Sequence, residues 1–388
     1  MADRNVTPTV GLDSATLLVP LELSGSRWLV GVQSPGEARL SEHKLEAGDV
    51  RGLQELIERF ARKLRQQGIA RVRVVTCYEA GRDGFWLQRM LAAEGIESLV
   101  LDAASIEVPR RARKAKTDRL DLKGLLRVLQ AIERGETSCK LVRVPAPQEE
   151  DARRLGRERG WLIKERIAHV NRIMALCAQE GVWGFKPLRG DRRARCAELR
   201  TAAGAALPRH LRAAIERELT RLELLLEQLA AIEAERDAVI EGAAVDDPAV
   251  DKIRKLVRLR SIGAETATML TREAFYRSFA NRSQVGAYFG YDGSPWCSGR
   301  MRREQGISKA GNPRARTVGI EAAWSWVRYQ PDSELSHWFH RRLAGAKGAV
   351  KRKLIVALAR KLMVALWRYL TIGLVPQGAT FKPHTAQA

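Results

Sequence analysis

The sequence predicts an α/β domain followed by an all-α remainder, and two observations carry that prediction. Between residues 9 and 134, short β-branched runs alternate with stretches of helical periodicity, as in a mixed α/β sheet domain. Beyond Pro147 the apolar residues recur at threes and fours along long charged segments, as in extended helices. The domain boundaries expected from this are 1–145 for the sheet domain, 146–245 for a helical arm and 246–388 for a C-terminal domain.

Two apolar runs, Thr9–Leu23 and Arg27–Val32, flank Ser24-Gly25-Ser26 and predict a β-hairpin with a glycine-bearing turn. Pro20 interrupts the first run and predicts an edge or a bulge there. Leu53, Leu56, Ile57, Phe60 and Leu64 share one face of a helix over 50–67. The run 72–79 is a strand ending in Glu79, and Ala80-Gly81 turns the chain into a helix near Phe85–Glu94. A third strand covers Ile96–Leu101 and ends at Asp102. Thr117 caps a helix over Asp118–Arg134.

After the proline-marked linker Val142–Pro147, a charged helical segment spans Glu149–Glu180 and is followed by an Arg- and Gly-rich break. In Arg212–Ile240 the residues Ile215, Leu219, Leu222, Leu226 and Leu229 step alternately by four and three, the seam of a coiled coil. Two such helices joined by a loop form an antiparallel arm. Its heptads favour self-association, although an arm that packs only on itself shows the same pattern. Residues 256–267 spell helix, glycine turn, helix: either a phosphate-gripping hairpin or an ordinary helical corner. Five glycines break residues 286–308 into an expected loop. Asn312 and Pro313 then start a helix to about Tyr329. A basic helix runs from Ala346 to Leu370, with a disordered tail expected from Pro376. Trp324, Trp326, Trp338 and Phe339 lie on amphipathic helices and are expected in the core.

The 388 residues carry 67 Lys+Arg against 45 Asp+Glu, a formal net charge of +22. That balance points to a polyanionic partner, because each neutralised phosphate releases condensed counterions. A membrane surface is the competing polyanion. No 18-residue apolar run free of charge appears, and no charged-then-apolar signal pattern opens the chain, so a soluble cytoplasmic protein is expected. Five scattered cysteines without a C-x-x-C pair predict reduced thiols, with neither a disulfide scaffold nor a structural zinc site.

Candidate chemistry concentrates in carboxylates at element ends. Asp118 and Asp121 are three apart at a helix start, so they are neighbours on one helix face. They suit either a divalent cation or simple capping of a first turn. Asp13 inside an apolar run is costly unless it is paired or binds a cation; a surface-pointing Asp at a bulge is the alternative. Ligands of open α/β sheets gather outside the carboxyl ends of strands, where Asp13, Glu79 and Asp102 are candidates; a solvated turn residue is the alternative for Glu79. The basic connection carrying Arg110, Arg111, Arg113, Lys114 and Lys116 adjoins these acids and suits a phosphodiester backbone. Farther along, Ser298-Gly299 precedes Arg300, Arg302 and Arg303. Lys309, Lys351, Arg352 and Lys353 add cations that can track phosphates.

The order G-L-D, E-A-G, K-T-D-x-x-D and the distal S-G followed by S-K-A-G-N resembles the Piv-type DEDD transposases, the bridge-RNA-guided insertion-sequence recombinases. The resemblance runs from Gly11 to about Leu370. It implies a RuvC-like (RNase H-type) mixed-sheet domain at residues 1–145, a long coiled-coil arm and a helical C-terminal transposase domain. It further implies Mg²⁺ held by Asp13, Glu79, Asp118 and Asp121, a nucleophilic Ser298, assembly as a homodimer or homotetramer on the nucleoid, and a structured RNA pairing with donor and target DNA. In two places the chain departs from the family pattern. Arg260-Ser261 stand where a proline-glycine is usual, and Pro20 shortens the apolar stretch after Asp13.

A covalent phosphoserine would conserve the phosphodiester bond energy, and bound Mg²⁺ would polarise the scissile phosphate and activate the hydroxyl. Arg300, Arg302 and Arg303 would offset charge developing on the phosphate. Two other readings remain: a RuvC-like nuclease that uses water instead of Ser298, and a non-catalytic nucleic-acid-binding protein.

Overall fold

The computed structural model describes residues 14–106, 117–136, 139–242, 247–298, 301–345 and 348–383, with only the backbone described at 104, 295–298 and 301–305. These fall into two compact units, Met1–Ala146 and Pro147–Ala388.

The first unit is built on a five-stranded mixed sheet. Strands β1 (Ser14–Glu22), β2 (Arg27–Val32) and β3 (Ser41–Glu46) form an antiparallel meander. Helix α1 (Val50–Gln66) leads to β4 (Arg71–Glu79), and α2 (Trp86–Ala93) leads to β5 (Glu97–Leu101). Both of these strands join in parallel, giving the order β3-β2-β1-β4-β5, which is consistent with an RNase H-type fold. Helix α3 (Asp118–Glu133) completes the unit.

Strand alternation divides the core into two layers. Leu17, Val19, Leu21 and Tyr78 pack under α1 and α2 with Leu53, Leu56, Leu87 and Leu91. Leu18, Val75, Cys77 and Leu101 pack under α3 with Leu125, Leu126, Val128 and Leu129.

Pro20 was expected at an edge or a bulge, but it lies in β1 at the centre of the sheet, paired with Cys77 of β4. The reason is local. Leu18 exchanges both backbone hydrogen bonds with Gln33, so the nitrogen of Pro20, two residues on, also faces β2 and not β4. Its missing N–H therefore costs one bond toward β2, opposite Gly31, and leaves the β1–β4 ladder intact. A Cβ at Gly31 would come 3.0 Å from the Pro20 ring, so glycine makes the room. Strand β3, with sequence SEHKLE, escaped the sequence reading because its charges hide any apolar alternation.

The second unit is helical. After α4 (Pro147–Asp151), helices α5 (Arg154–Gln179) and α7 (Arg209–Gly242) pack side by side, with the short α6 (Arg192–Ala197) between them in sequence. Ile173 and Cys177 of α5 meet Ile215, Leu219 and Leu222 of α7, whereas Leu162 meets Leu225, Leu229 and Ile232. The reversed order makes the pair antiparallel, and Arg159–Glu233 at 2.7 Å fits the same register. The seam read from α7 is thus covered by α5 of the same chain.

Next come α8 (Pro248–Val257) and α9 (Ala264–Leu270), which runs into a π-helical turn, Thr271–Phe275; α10 (Arg282–Phe289) follows. The expected loop at 286–308 contains an antiparallel hairpin, β6 (Gly293–Ser298) and β7 (Met301–Ile307). Helices α11 (Pro313–Tyr329), α12 (Glu334–Leu343) and α13 (Ala349–Ile372) complete the core, with Trp326 and Phe339 buried in it. Trp324 is instead 39% exposed on α11, with the Lys351 ammonium 5.3 Å from its ring centre. The tail was expected to be disordered, but through residue 382 it is held. Arg260 N–H donates to Thr380 O, and Lys382 N–H donates to Arg258 O. Residues 384–388 of that tail lie outside the described residues.

Candidate functional site

The acidic end of the first unit follows from how α3 lies on the sheet. Thr117, in an extended conformation, accepts the Leu120 N–H at 3.3 Å and fixes the helix start, which puts Asp118 and Asp121 in the first turn. Helix direction is set by two contacts. Arg73 at the start of β4 holds Glu133 near the end of α3 at 2.9 Å, and the Cys77 thiol donates to Leu125 O at 3.8 Å. Helix α3 therefore runs antiparallel to β4. Two residues beyond Cys77 stands Glu79, and one helical turn before Leu125 stands Asp121, so the carboxyl end of β4 and the start of α3 coincide. Glu79 and Asp118 are exposed and Asp121 is half-buried. Burial, then Cys139, then the Glu79 charge push the Cys77 thiol well above its usual range, so it is no nucleophile at neutral pH.

Among the described residues, no three His, Cys, Asp or Glu side chains converge into a group that could hold a metal ion. Asp13 lies outside the described residues, as do Arg110, Arg111, Arg113, Lys114, Lys116 and Arg300. Glu22, which the sequence reading passed over, ends β1 beside β4. Nothing in the sequence distinguishes it from an ordinary acid flanking a turn until the strand register is known.

The second constellation is the β6–β7 hairpin. Ser298 pairs with Met301 and closes the ladder at its tip, with Arg302 opposite Cys297 and Arg303 opposite Trp296. The base is held by backbone bonds: Ser308 N–H donates to Asp292 O at 2.7 Å, and Asn312 N–H donates to Tyr288 O at 2.9 Å. Gly290 and Gly311 sit at φ +66° and +84°, and a Cβ on either would fall 2.1–2.2 Å from a backbone oxygen. Lys309, exposed beside them, also has a positive φ of 57°.

Asn312 does two things at once. Its Oδ1 accepts from Arg314 N–H and Ala315 N–H, capping α11, while its Nδ2 donates to Glu273 Oε2 at 2.9 Å. Glu273 is 2% exposed and also accepts from Arg157 of α5 at 2.8 Å. Burial raises its carboxyl pKa, but the bonds from Arg157 and Asn312 outweigh that and hold it below the usual 4.5. The expectation that Asn312 starts a helix was correct, yet its link to Glu273 and the Arg157–Glu273 pair joins residues far apart in the chain, beyond any periodicity argument. Lys351, Arg352 and Lys353 are exposed at the start of α13.

A family described as "Transposase IS116/IS110/IS902 family" matches residues 254–337, the segment from α8 to α12 that contains this hairpin. Over nearly the whole length, the chain is 47% identical to "Putative transposase y4rJ" of Sinorhizobium fredii (strain NBRC 101917 / NGR234), covering 98% of both. The chain belongs to the IS116/IS110/IS902 transposase family. "Putative transposase y4qE" of the same strain is 28% identical over 326 residues, which is 83% of this transposase and 72% of the relative. Membership makes DNA the substrate of the transposase. No helix among its described residues is long and apolar enough to cross a membrane.

Proposed function

We propose that this transposase cuts and rejoins DNA through a covalent bond to Ser298, directed by a structured guide RNA and supported by Mg²⁺ held at the carboxyl end of the first unit's sheet. The observation that carries the reading is the placement of Ser298. It closes the tip of a hairpin whose base is fixed by Gly290, Gly311 and Asn312, inside the segment matched by the transposase family. A serine carried on a hairpin with a fixed base would cost less to order at the moment of reaction.

In the step proposed, Ser298 Oγ attacks phosphorus, the Oγ–P bond forms and the bond from phosphorus to the 3′-oxygen breaks. The serine proton leaves and the 3′-oxygen is protonated. Reversal by another 3′-hydroxyl rejoins the strand and frees the serine, so no external energy source is needed.

Carboxylates are the donors a hard divalent cation takes, and Glu79, Asp118 and Asp121 share one end of one sheet face. With a fourth carboxylate from the region of the first strand, the place the family resemblance gives to Asp13, these are the kind of oxygen donors Mg²⁺ takes, although no three of the described acids already converge on one point. When bound, the ion supplies Lewis-acid stabilisation of the phosphate and a lowered hydroxyl pKa. Arg302 and Arg303 follow Ser298 on β7 and, with Arg300, serve the phosphate charge. Lys309, Lys351, Arg352 and Lys353 are exposed cations for the backbone of DNA or guide RNA, in keeping with the +22 net charge. With the α7 seam covered, assembly into a homodimer or homotetramer rests on other surfaces, such as Trp161 (56% exposed) of α5 and Trp183 (81%).

The test is Ser298→Ala with element-end DNA, guide RNA and Mg²⁺. Loss of both the detergent-stable protein–DNA adduct and the strand exchange is expected. Carboxylate-dependent cleavage that survives without an adduct would replace the serine mechanism by hydrolysis.

A further inference from the structure

We infer that Glu22, and not Asp13, supplies the first-strand carboxylate beside Glu79. The inference rests on the reading above that this end of the sheet holds a divalent cation, and it reassigns one of the residues that would do so.

Strands β1 and β4 pair in unbroken parallel register from Ser14 opposite Arg71 to Pro20 opposite Cys77. Two residues further, the same register sets Glu22 against Glu79, the last residues of the two strands. The faces agree as well. Leu18 packs in the layer under α3, so alternation directs Pro20 and Glu22 to that side. Pro20 confirms it: the space beside Gly31 is shared by the Pro20 ring and the Leu122 side chain of α3, 3.0 and 3.3 Å from where a Cβ would stand. On β4, Val75 and Cys77 pack under α3, and Glu79 continues their alternation. Since α3 runs antiparallel to both strands, the turn before Leu122 carries Asp118 and Asp121 over the ends of β1 and β4. Two strand ends and one helix start thus bring Glu22, Glu79, Asp118 and Asp121 to the same end of one sheet face; their side chains do not already converge, and binding a cation would draw them together.

The other end of β1 is elsewhere. Ser14 lies opposite Arg71, eight residues before Glu79 on β4 and about 26 Å from it at the rise of an extended strand. A carboxylate from the start of β1 would have to span that length of sheet. Glutamate in place of aspartate adds one methylene and the same two donor oxygens, which suits a hard cation equally.

The experiment is binding of Mn²⁺, a paramagnetic stand-in for Mg²⁺, to the full chain, read from the free-ion resonance signal, on Glu22→Gln, Asp13→Asn and Glu79→Gln. Thermal melting confirms that each variant is folded. Glu22→Gln and Glu79→Gln should each weaken binding at least tenfold, and Asp13→Asn should leave it unchanged. Glu22→Asp should retain binding within a few-fold. Unchanged binding in Glu22→Gln beside a loss in Asp13→Asn overturns the assignment and leaves the metal reading standing. Unchanged binding in Glu79→Gln as well as Glu22→Gln removes the metal reading itself.

Discussion

Glu273 shows how much one buried carboxylate carries. It accepts from Arg157 and Asn312 and is the point where α5, the π-helical turn and the start of α11 are tied together. Removing one partner of such a pair leaves an uncompensated charge in the interior, so Arg157→Met should cost roughly 3 kcal/mol in chemical denaturation. The pH dependence has a definite sign. The folded-state pKa of Glu273 lies below its usual 4.5, so its contribution is complete above that value and is lost as pH falls through the folded value. Glu273→Gln should therefore lower stability at neutral pH and flatten the loss below pH 4.5; an unchanged acid limb in a denaturation series would contradict this. Sequence reasoning at this scale reached what is local. Thr117 and Asn312 as caps were legible because a cap acts on residues two or three away. Glu22 and Glu273 were not, since their significance arises from a neighbouring strand and from a helix more than a hundred residues earlier.

Long periodic elements were read with boundaries within a few residues. Helices α1, α3 and α11 are examples, because a buried stripe at 3.6-residue spacing leaves a strong signature. Short polar strands were not. β3 carries four charged or imidazole side chains in six residues, and β6–β7 is so rich in glycine and arginine that it read as a loop. One of the glycines that suggested a loop, Gly290, is also one that fixes the base of the hairpin. Gly290→Ala places a Cβ 2.1 Å from Ala310 O at φ +66° and should cost at least about 2 kcal/mol, with loss of strand exchange. Gly306, at φ +97° with nothing near its Cβ position, is the control. Gly306→Ala should show only the backbone strain, about 1 kcal/mol. Equal melting temperatures for the two variants would sink the claim that the hairpin base is sterically fixed.

At the scale of the molecule, the division near residue 146 separates a sheet unit bearing carboxylates from a helical unit bearing Ser298. The net charge of +22 predicts steep salt dependence of nucleic-acid binding, with a slope of about −0.9 per neutralised phosphate on duplex DNA. Replacing Lys351, Arg352 and Lys353 together by alanine should shallow that slope by roughly 2 to 3, measured by titration between low and physiological salt. An unchanged slope would take the start of α13 off the nucleic-acid path. The central claim is the covalent bond to Ser298, and peptide mapping tests it most directly. The trapped protein–DNA adduct is digested with nuclease and trypsin, and the fragment Ser283–Arg300, which also contains Ser294, is sequenced by mass spectrometry. The account predicts a nucleotide esterified to Ser298; a nucleotide on any other residue, or cleaved DNA with no linked peptide, would contradict it.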